Sequence, residues 1–503
     1  MNQTGKKSLL IRADANISIG TGHVMRCLAL AQAWQDSGGE VTFLMAPGSP
    51  SLEQRIFLEG MNVLTIKEQP GSNDDATITA EIAKKIESSW VVVDGYQFGA
   101  EYQKILKENN CRIIFIDDYG HADHYYADLV LNQNIYADMS FYKKYEPYTR
   151  FLLGTNFVLL RREFLNYVGY NRKIPAIAHR VLVTFGGGDL DNTTLKIIEA
   201  LKKIEIDGLE VIAVVGGVSQ TYETLKQSVI NYSGFSVRKN VTNMPELMIW
   251  ADIAISAGGS TCWELVFLGL PTILYSVSEN QKSNVSIFHS KGIAKWFDDK
   301  NIGNSEINAI TITQFLMSHQ DRSFLHQKMK KIIDGNGSLR VMMNIDKNNF
   351  HLRLAKKDDC KILWEWVNDP VVRKSAFNQE NILWNEHKKW FAEKISNPHC
   401  FIYILTTKQG KNIGQIRFDI INESADVDVS IDRNMRGCGM GSKIIVEGVK
   451  MFVEMTKISH INAYIKKDNI ASIRSFEKAG FAVADTPNDS GLDAIHMIWQ
   501  EIY

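Results

Sequence analysis

The 503-residue chain predicts an α/β protein: two doubly wound, Rossmann-like domains followed by a third domain of mixed α/β type. Three observations carry that expectation. Short apolar runs alternate with helical stretches up to about residue 165; the alternation restarts at Arg180-Val-Leu-Val-Thr-Phe, and again at Phe350-His-Leu-Arg-Leu. A chain this long exceeds a single core. The implied domains are residues 1–170, 171–343 and 348–503.

In the first domain Leu9-Leu10-Ile11, Val41–Met45, Met61–Ile66, Trp90–Asp94 and Arg112–Asp117 read as strands of a buried parallel sheet. Ser51–Glu59 and Thr77–Ser88 read as helices between them, and Arg172-Lys-Ile-Pro-Ala176 as a hinge-like linker. The second domain starts at Arg180, runs to about Lys331 and is closed by Asp334–Arg340. Asn344–Asn349 is polar and reads as irregular. The third domain opens with a strand and a tryptophan-rich helix, then a strand at Val427–Ile431, a glycine loop, a helix over Lys443–Val453, a strand at His460–Ile465 and a helix over Ile470–Ala479. Two α/β domains of similar size imply a cleft between them, where open sheets bind ligands.

Composition narrows the partners. With 56 Lys and Arg against 57 Asp and Glu, nothing suggests a nucleic-acid or anionic-membrane partner. The first residues lack the apolar core of a signal peptide and no apolar run is long enough to span a bilayer, so a cytoplasmic location is expected. Cys27, Cys111, Cys262, Cys360, Cys400 and Cys438 are scattered without a C-x-x-C pair, the pattern of reduced thiols. His121 and His124 are three apart with no matching donors, so no metal is expected.

Chemistry concentrates in three glycine loops. Gly20 and Gly22 follow the first strand and put His23 at the mouth of a helix, where backbone N–H groups and the helix dipole favour an anion and a neutral imidazole able to accept a proton. Such turns also serve close packing alone. Ala251–Pro271 is a strand, a glycine turn and a helix start. There the backbone from Gly258 and Gly259 to Ser260 and Thr261 suits a diphosphate, and Glu264, one helical turn on, suits ribose hydroxyls or simply solvent. Gly186-Gly187-Gly188-Asp189 is a weaker loop facing the same cleft. Asp94-Gly95-Tyr96 and Asp117-Asp118 end two strands on its rim; the adjacent aspartates suit solvated loop roles, and Tyr96 a sugar contact. In the third domain Arg436-Gly437-Cys438-Gly439-Met440-Gly441-Ser442 follows a strand and opens a helix, a place suited to a pyrophosphate.

The string from Arg12 to Cys27, R-A-D-A-x-x-x-I-G-x-G-H-V-M-R-C, resembles the N-terminal signature of the UDP-sugar hydrolases of pseudaminic acid biosynthesis, GT-B-like enzymes related to the glycosyltransferase that builds lipid II. The resemblance implies that His23 is the base. The A-G-G-S-T-x-x-E-L segment resembles the UDP-binding segment of GT-B enzymes, and Asn280-Gln281 matches that family too, implying a nucleotide contact from Asn280. Arg436-x-x-Gly439-x-Gly441 resembles the acetyl-CoA loop of the GNAT acetyltransferases, and Asn469-x-x-Ser472-x-x-x-Phe476-x-x-x-Gly480-Phe481 their final signature. Many GNAT enzymes have tyrosine where this chain has Phe476, and that hydroxyl protonates the leaving thiolate. Tyr464 or water is then the replacement, and Asp428 a candidate for ordering a water base.

These resemblances imply a bifunctional enzyme. The third domain would use acetyl-CoA to N-acetylate UDP-4-amino-4,6-dideoxy-N-acetyl-β-L-altrosamine. The first two would hydrolyse the resulting UDP-2,4-diacetamido-2,4,6-trideoxy-β-L-altrose to the free sugar and UDP. A glycosyltransferase with an acceptor hydroxyl in place of water, and a nucleotide-sugar-binding regulatory protein, are the alternatives. Oligomeric state is left open.

Overall fold

The computed structural model describes residues 7–16, 19–186, 192–217, 221–277, 279–297, 302–345, 350–408, 410–437, 439–484 and 494–500. It forms two compact units, Met1–Met342 and Met343–Tyr503.

The first unit holds two parallel sheets. Strands β1 (Ser8–Ala13), β2 (Glu40–Met45), β3 (Asn62–Thr65), β4 (Ser88–Asp94), β5 (Ile113–Ile116), β6 (Leu129–Asn132) and β7 (Arg150–Leu153) lie in the order β3-β2-β1-β4-β5-β6-β7. Helices α1 (Gly22–Asp36), α2 (Pro50–Leu58), α3 (Asn73–Lys85), α4 (Ala100–Glu108) and the short α5 (Arg162–Leu165) connect or follow them. The central strands are apolar on both faces because helices cover both; all four residues of β5 are buried. Helix α3 starts where the Ser72 hydroxyl accepts from the Asp75 N–H, with acidic residues in its first turn and Lys84 and Lys85 in its last.

The second sheet repeats the pattern. Strands β8 (Arg180–Thr184), β9 (Glu210–Val215), β10 (Phe235–Lys239), β11 (Ile253–Ala257), β12 (Thr272–Tyr275) and β13 (Lys295–Trp296) order as β10-β9-β8-β11-β12-β13. Helices α6 (Thr193–Leu201), α7 (Tyr222–Ser228), α8 (Met244–Trp250), α9 (Thr261–Phe267), α10 (Glu279–Ser290), α11 (Ser305–Met317), α12 (His319–Met329) and α13 (Gly337–Ile345) accompany it. Each sheet reverses its winding between two neighbouring strands, β1 and β4 in one, β8 and β11 in the other. Loops diverge there and leave a crevice at the carboxyl ends.

Two local expectations are corrected. Arg172 does not open a loose hinge: its buried guanidinium donates to the carbonyls of Met248 and Ala251 at 2.6 Å and of Leu268 at 3.3 Å. Arg322 likewise holds the carbonyls of Pro175 and Ala176. Nor does Asn344 begin an irregular stretch. Helix α13 runs through Ile345 because Val341, Met342, Met343 and Ile345 are apolar and buried; residues 346–349 lie outside the described residues.

The second unit is one mixed sheet in the order β14-β15-β16-β17-β18-β20-β19. Its strands are β14 (Phe350–Leu354), β15 (Cys400–Thr407), β16 (Asn412–Ile421), β17 (Ser424–Ile431), β18 (His460–Lys466), β19 (Ala482–Val483) and β20 (Ala494–Gln500). Helices α14 (Cys360–Val367), α15 (Pro370–Ser375) and α16 (Trp384–Ser396) precede β15; α17 (Met440–Thr456) joins β17 to β18, and α18 (Ile470–Lys478) follows β18. Among the described residues of this unit only β17 and β18 pair in parallel, as a strand–helix–strand crossover requires.

A fully buried charge pair tests the first sheet. Arg12 donates from Nε and Nη2 to Asp75 at 2.9 Å, and both side chains are fully buried. Arg12→Ala strands the Asp75 carboxylate without its cation, so chemical denaturation of the first unit will show a loss of about 3–5 kcal/mol.

Candidate active sites

A cavity of about 780 Å³ opens between the two sheets of the first unit. Gly20, Gly22, His23, Tyr96, Gly258, Gly259, Ser260, Thr261 and Glu264 all line it, as does Gly186. The sequence-expected residues of both halves therefore meet in one place. At Gly22 the halves come close: a Cβ there would sit 3.2 Å from Ser260 Oγ. The His23 loop thus rests directly against the Ser260 turn.

His23 begins α1, and its Nδ1 lies 2.7 Å from Oδ1 of Asp94, the last residue of β4. A carboxylate only accepts, so Nδ1 carries the hydrogen, and in the neutral ring Nε2 has the lone pair. Arg26, one helical turn after His23, donates to both Asp94 oxygens at 2.7 Å and to Asp118 Oδ1 at 2.7 Å. Burial works against charge on Asp94, yet Arg26 and then His23 hold its carboxyl well below the usual carboxylate range. Asp118 is lowered in the same way, against its burial, by Arg26. Tyr96 donates its hydroxyl to Asp118 at 2.8 Å, and its ring meets the His23 ring edge-on at 4.9 Å.

The two aspartates expected to be solvated are not. Asp117 is 1% exposed and accepts from the Tyr125 hydroxyl and the N–H groups of Tyr119 and Gly120. Asp118 takes Arg26, Tyr96 and Asn134. Charge on these strand ends is retained because arginine, hydroxyl and amide donors replace water. Arg26 stands in the quoted motif three residues after His23, a spacing that puts both on one helix face; its role was readable there.

Across the cleft the Gly258 N–H is not available to a ligand, since it donates to Tyr275 O and Gln281 Oε1, both at 3.1 Å. The N–H groups of Gly259, Ser260 and Thr261 make no bond among the described residues. A Cβ at Gly258 would lie 2.5 Å from Val285 Cγ2, which accounts for glycine at that position. Glu264 is held through Oε1 by Arg161, at 2.9 Å from Nε and 2.8 Å from Nη2, leaving Oε2 for a group in the cleft. Burial pushes the Glu264 carboxyl up despite Arg161. Sequence reasoning missed Arg161, which lies 103 positions away with no local pattern linking it to Glu264. Asn280 lies in α10, but its side chain is outside the described residues, as are Gly187, Gly188 and Asp189.

In the second unit β17 and β18 pair only at Ala425↔Ile461 and Asp426↔Asn462, though both strands run on. Their carboxyl ends therefore part where the glycine loop springs from β17. Gly437 and Gly439 both have φ of 75°, the left-handed region that glycine occupies without strain. Gly441 faces Ser475, whose Oγ would lie 3.0 Å from a Cβ there, and Ser442 donates its hydroxyl to Gly439 O. Two expected cofactor residues have structural partners: Arg436 donates to Asp369 Oδ1 at 2.8 Å and to Ile431 O at 3.0 Å, and Asn469 caps α18 by accepting from the Ser472 N–H.

Comparison with known proteins follows this division. Residues 181–336 match the model of the glycosyltransferase family 28 C-terminal domain, and residues 349–482 that of the acetyltransferase (GNAT) domain. The matches set a glycosyltransferase-type domain before an acetyltransferase-type one. An uncharacterised protein of Methanocaldococcus jannaschii is 23% identical over 488 residues, 94% of this chain and 96% of that protein. A UDP-2,4-diacetamido-2,4,6-trideoxy-β-L-altropyranose hydrolase of Campylobacter jejuni is 27% identical over 200 residues, 39% of this chain and 67% of that protein. The acetyltransferase PseH of the same species is 24% identical over 132 residues, 26% of this chain and 82% of that protein. Among the described residues no three His, Cys, Asp or Glu side chains cluster as metal ligands, and no helix is long and apolar enough to cross a membrane.

The Asp94 cluster has a measurable acid signature. Its carboxyl titrates lower in the folded than in the unfolded chain, so its contribution is present above the unfolded value of about 3.9 and is lost as pH falls towards the folded one. Arg26→Gln removes the strongest charge holding it down. Acid unfolding of the first unit, followed by circular dichroism, will shift to higher pH.

Proposed function

We propose that the first unit hydrolyses a UDP-activated diacetamido-trideoxy sugar and that the second acetylates its 4-amino precursor with acetyl-CoA. The observation that carries the first half is the contact of the His23 loop with the Ser260 turn, because it puts His23 in one cavity with Gly259, Ser260 and Thr261, whose N–H groups make no bond among the described residues. The diphosphate of UDP lies on Gly259, Ser260 and Thr261, with Oε2 of Glu264 accepting from ribose. His23 Nε2 takes a proton from water, whose oxygen bonds to the anomeric carbon. The bond from that carbon to the phosphate oxygen breaks, and its electron pair leaves with UDP. Asp94 stabilises the imidazolium that forms. The hydrolase named in Campylobacter jejuni supports this substrate, and the Asn280 contact belongs to the same reading.

For the second half, the parted β17 and β18 and the loop from Arg436 to Ser442 suit a pantetheine arm and a pyrophosphate. The GNAT match and the likeness to PseH support acetyl-CoA as the acyl donor. A glycosyl transfer to an acceptor hydroxyl remains the second reading, since the family 28 match describes a glycosyltransferase domain. It is distinguished by where the sugar goes.

His23→Asn will lower UDP release by about 10²–10⁴-fold while acetyl transfer continues. With water labelled by heavy oxygen, mass spectrometry will find the label in the sugar and not in UDP; label in UDP would overturn attack at carbon.

The two activities are also separable. A fragment of residues 1–345 will hydrolyse the diacetamido substrate without acetyl-CoA, and a fragment of residues 346–503 will bind coenzyme A and acetylate the amino sugar, each assayed by thiol or UDP release. Insoluble fragments would overturn domain independence.

A further inference from the structure

Acetyl transfer to an amine needs two proton movements. The acceptor ammonium must lose a proton before it attacks, and the coenzyme A thiolate gains one as it leaves. Phe476 supplies neither: it is buried, with its ring edge-on to Phe481 at 4.9 Å. The groups able to do both lie on the sheet, where β17 and β18 part.

Cross-strand pairing puts Asp426 of β17 opposite Asn462 of β18, and Tyr464, two residues on, opposite His496 of β20. Strand alternation brings all four to one face. His496 Nε2 lies 3.0 Å from Asn462 Oδ1, and Asn462 Nδ2 donates to Asp426 Oδ1 at 3.3 Å. An amide oxygen only accepts, so Nε2 carries the hydrogen and Nδ1 keeps a lone pair. The Tyr464 ring stacks on the imidazole, with centroids 4.7 Å apart and planes 10° from parallel. A neutral base and a phenol thus stand side by side, two residues beyond the last rung joining β17 to β18.

We propose that His496 is the general base and Tyr464 the general acid of the second unit, with Asn462 and Asp426 as positioning residues, for an acceptor bearing a primary amine. The inference rests on the acetyl-transfer reading above. His496 Nδ1 takes one proton from the ammonium, and the freed lone pair forms the C–N bond to the thioester carbonyl. The C–S bond then breaks with its electron pair going to sulfur. Tyr464 gives its proton to that sulfur and regains one from the nitrogen as the amide forms; His496 releases its proton to water. Burial holds His496 below the ordinary histidine value, against Asp426. Burial and then Asp426 hold the Tyr464 hydroxyl above its ordinary value, so the base is free and the acid loaded at neutral pH. The groups facing His496 are Asp426 on β17 and His460, Tyr464 and Lys466 on β18, while β19 brings no titratable side chain.

The test uses the full chain, acetyl-CoA and the 4-amino UDP-sugar, following thiol release against pH. Wild-type rate will fall as pH drops through the His496 value. His496→Gln will lose this acid limb and about 10²–10⁴-fold in kcat, with coenzyme A affinity unchanged by calorimetry. Imidazole in the buffer will restore His496→Gly, and Tyr464→Phe will lower kcat without weakening coenzyme A binding. Asn462→Ala will move the acid limb rather than abolish it. A wild-type chain that transfers no acetyl group overturns the acetyl-transfer reading and this one with it. An active wild type with His496→Gln retaining its rate and acid limb, or His496→Gly without rescue, overturns the base assignment alone.

Discussion

A carboxylate without access to water must be matched by donors or it cannot stay charged, and Asp94 at the end of β4 is such a group. It is met entirely from one helix: His23, Arg26 and the Cys27 thiol all turn their polar atoms to it. That single requirement docks the first turn of α1 on the sheet, chooses the imidazole tautomer and ties Asp118 into the same cluster through Arg26. Tyr96 then closes the ring of contacts from the neighbouring loop. The histidine that faces the cleft is therefore oriented by the buried Asp94 carboxylate.

The second half of the cleft obeys the same economy with different residues. Glu264 is largely covered, and burial pushes its carboxyl up where that of Asp94 is held down, because one arginine meets only one of its oxygens. The unmet oxygen is the one left to the cavity. Glycine has a packing reason on both sides: a side chain at Gly22 would press on Ser260, and one at Gly258 would collide with Val285. Close approach of backbone sets the width of the site.

The two parallel sheets leave their cleft at the carboxyl ends of neighbouring strands, and the mixed sheet opens between β17 and β18. In the two parallel sheets the space comes from reversal of winding between β1 and β4 and between β8 and β11. In the mixed sheet it comes from two parallel strands that part after two rungs.

The chain order of strands and helices was legible because central parallel strands are unbroken apolar runs and glycines punctuate the turns before α1, α9 and α17. The places of His23, Ser260 and Gly439 at helix starts followed from that, and the quoted motif strings carried the family resemblance. The sequence by itself did not carry the partners of Asp94 and Glu264, 71 and 103 residues away, the buried state of Asp117, the capture of Asp118 by Arg26, or the pinning of Arg172. Nor could it link Asn462 to His496, on strands 34 positions apart. Local pattern determines which stretches become strands and helices, because hydrophobic period and backbone freedom act over a few residues. Which charge meets which is decided only when the chain closes on itself, since burial removes water and leaves each polar group to the donors that the packing happens to bring near.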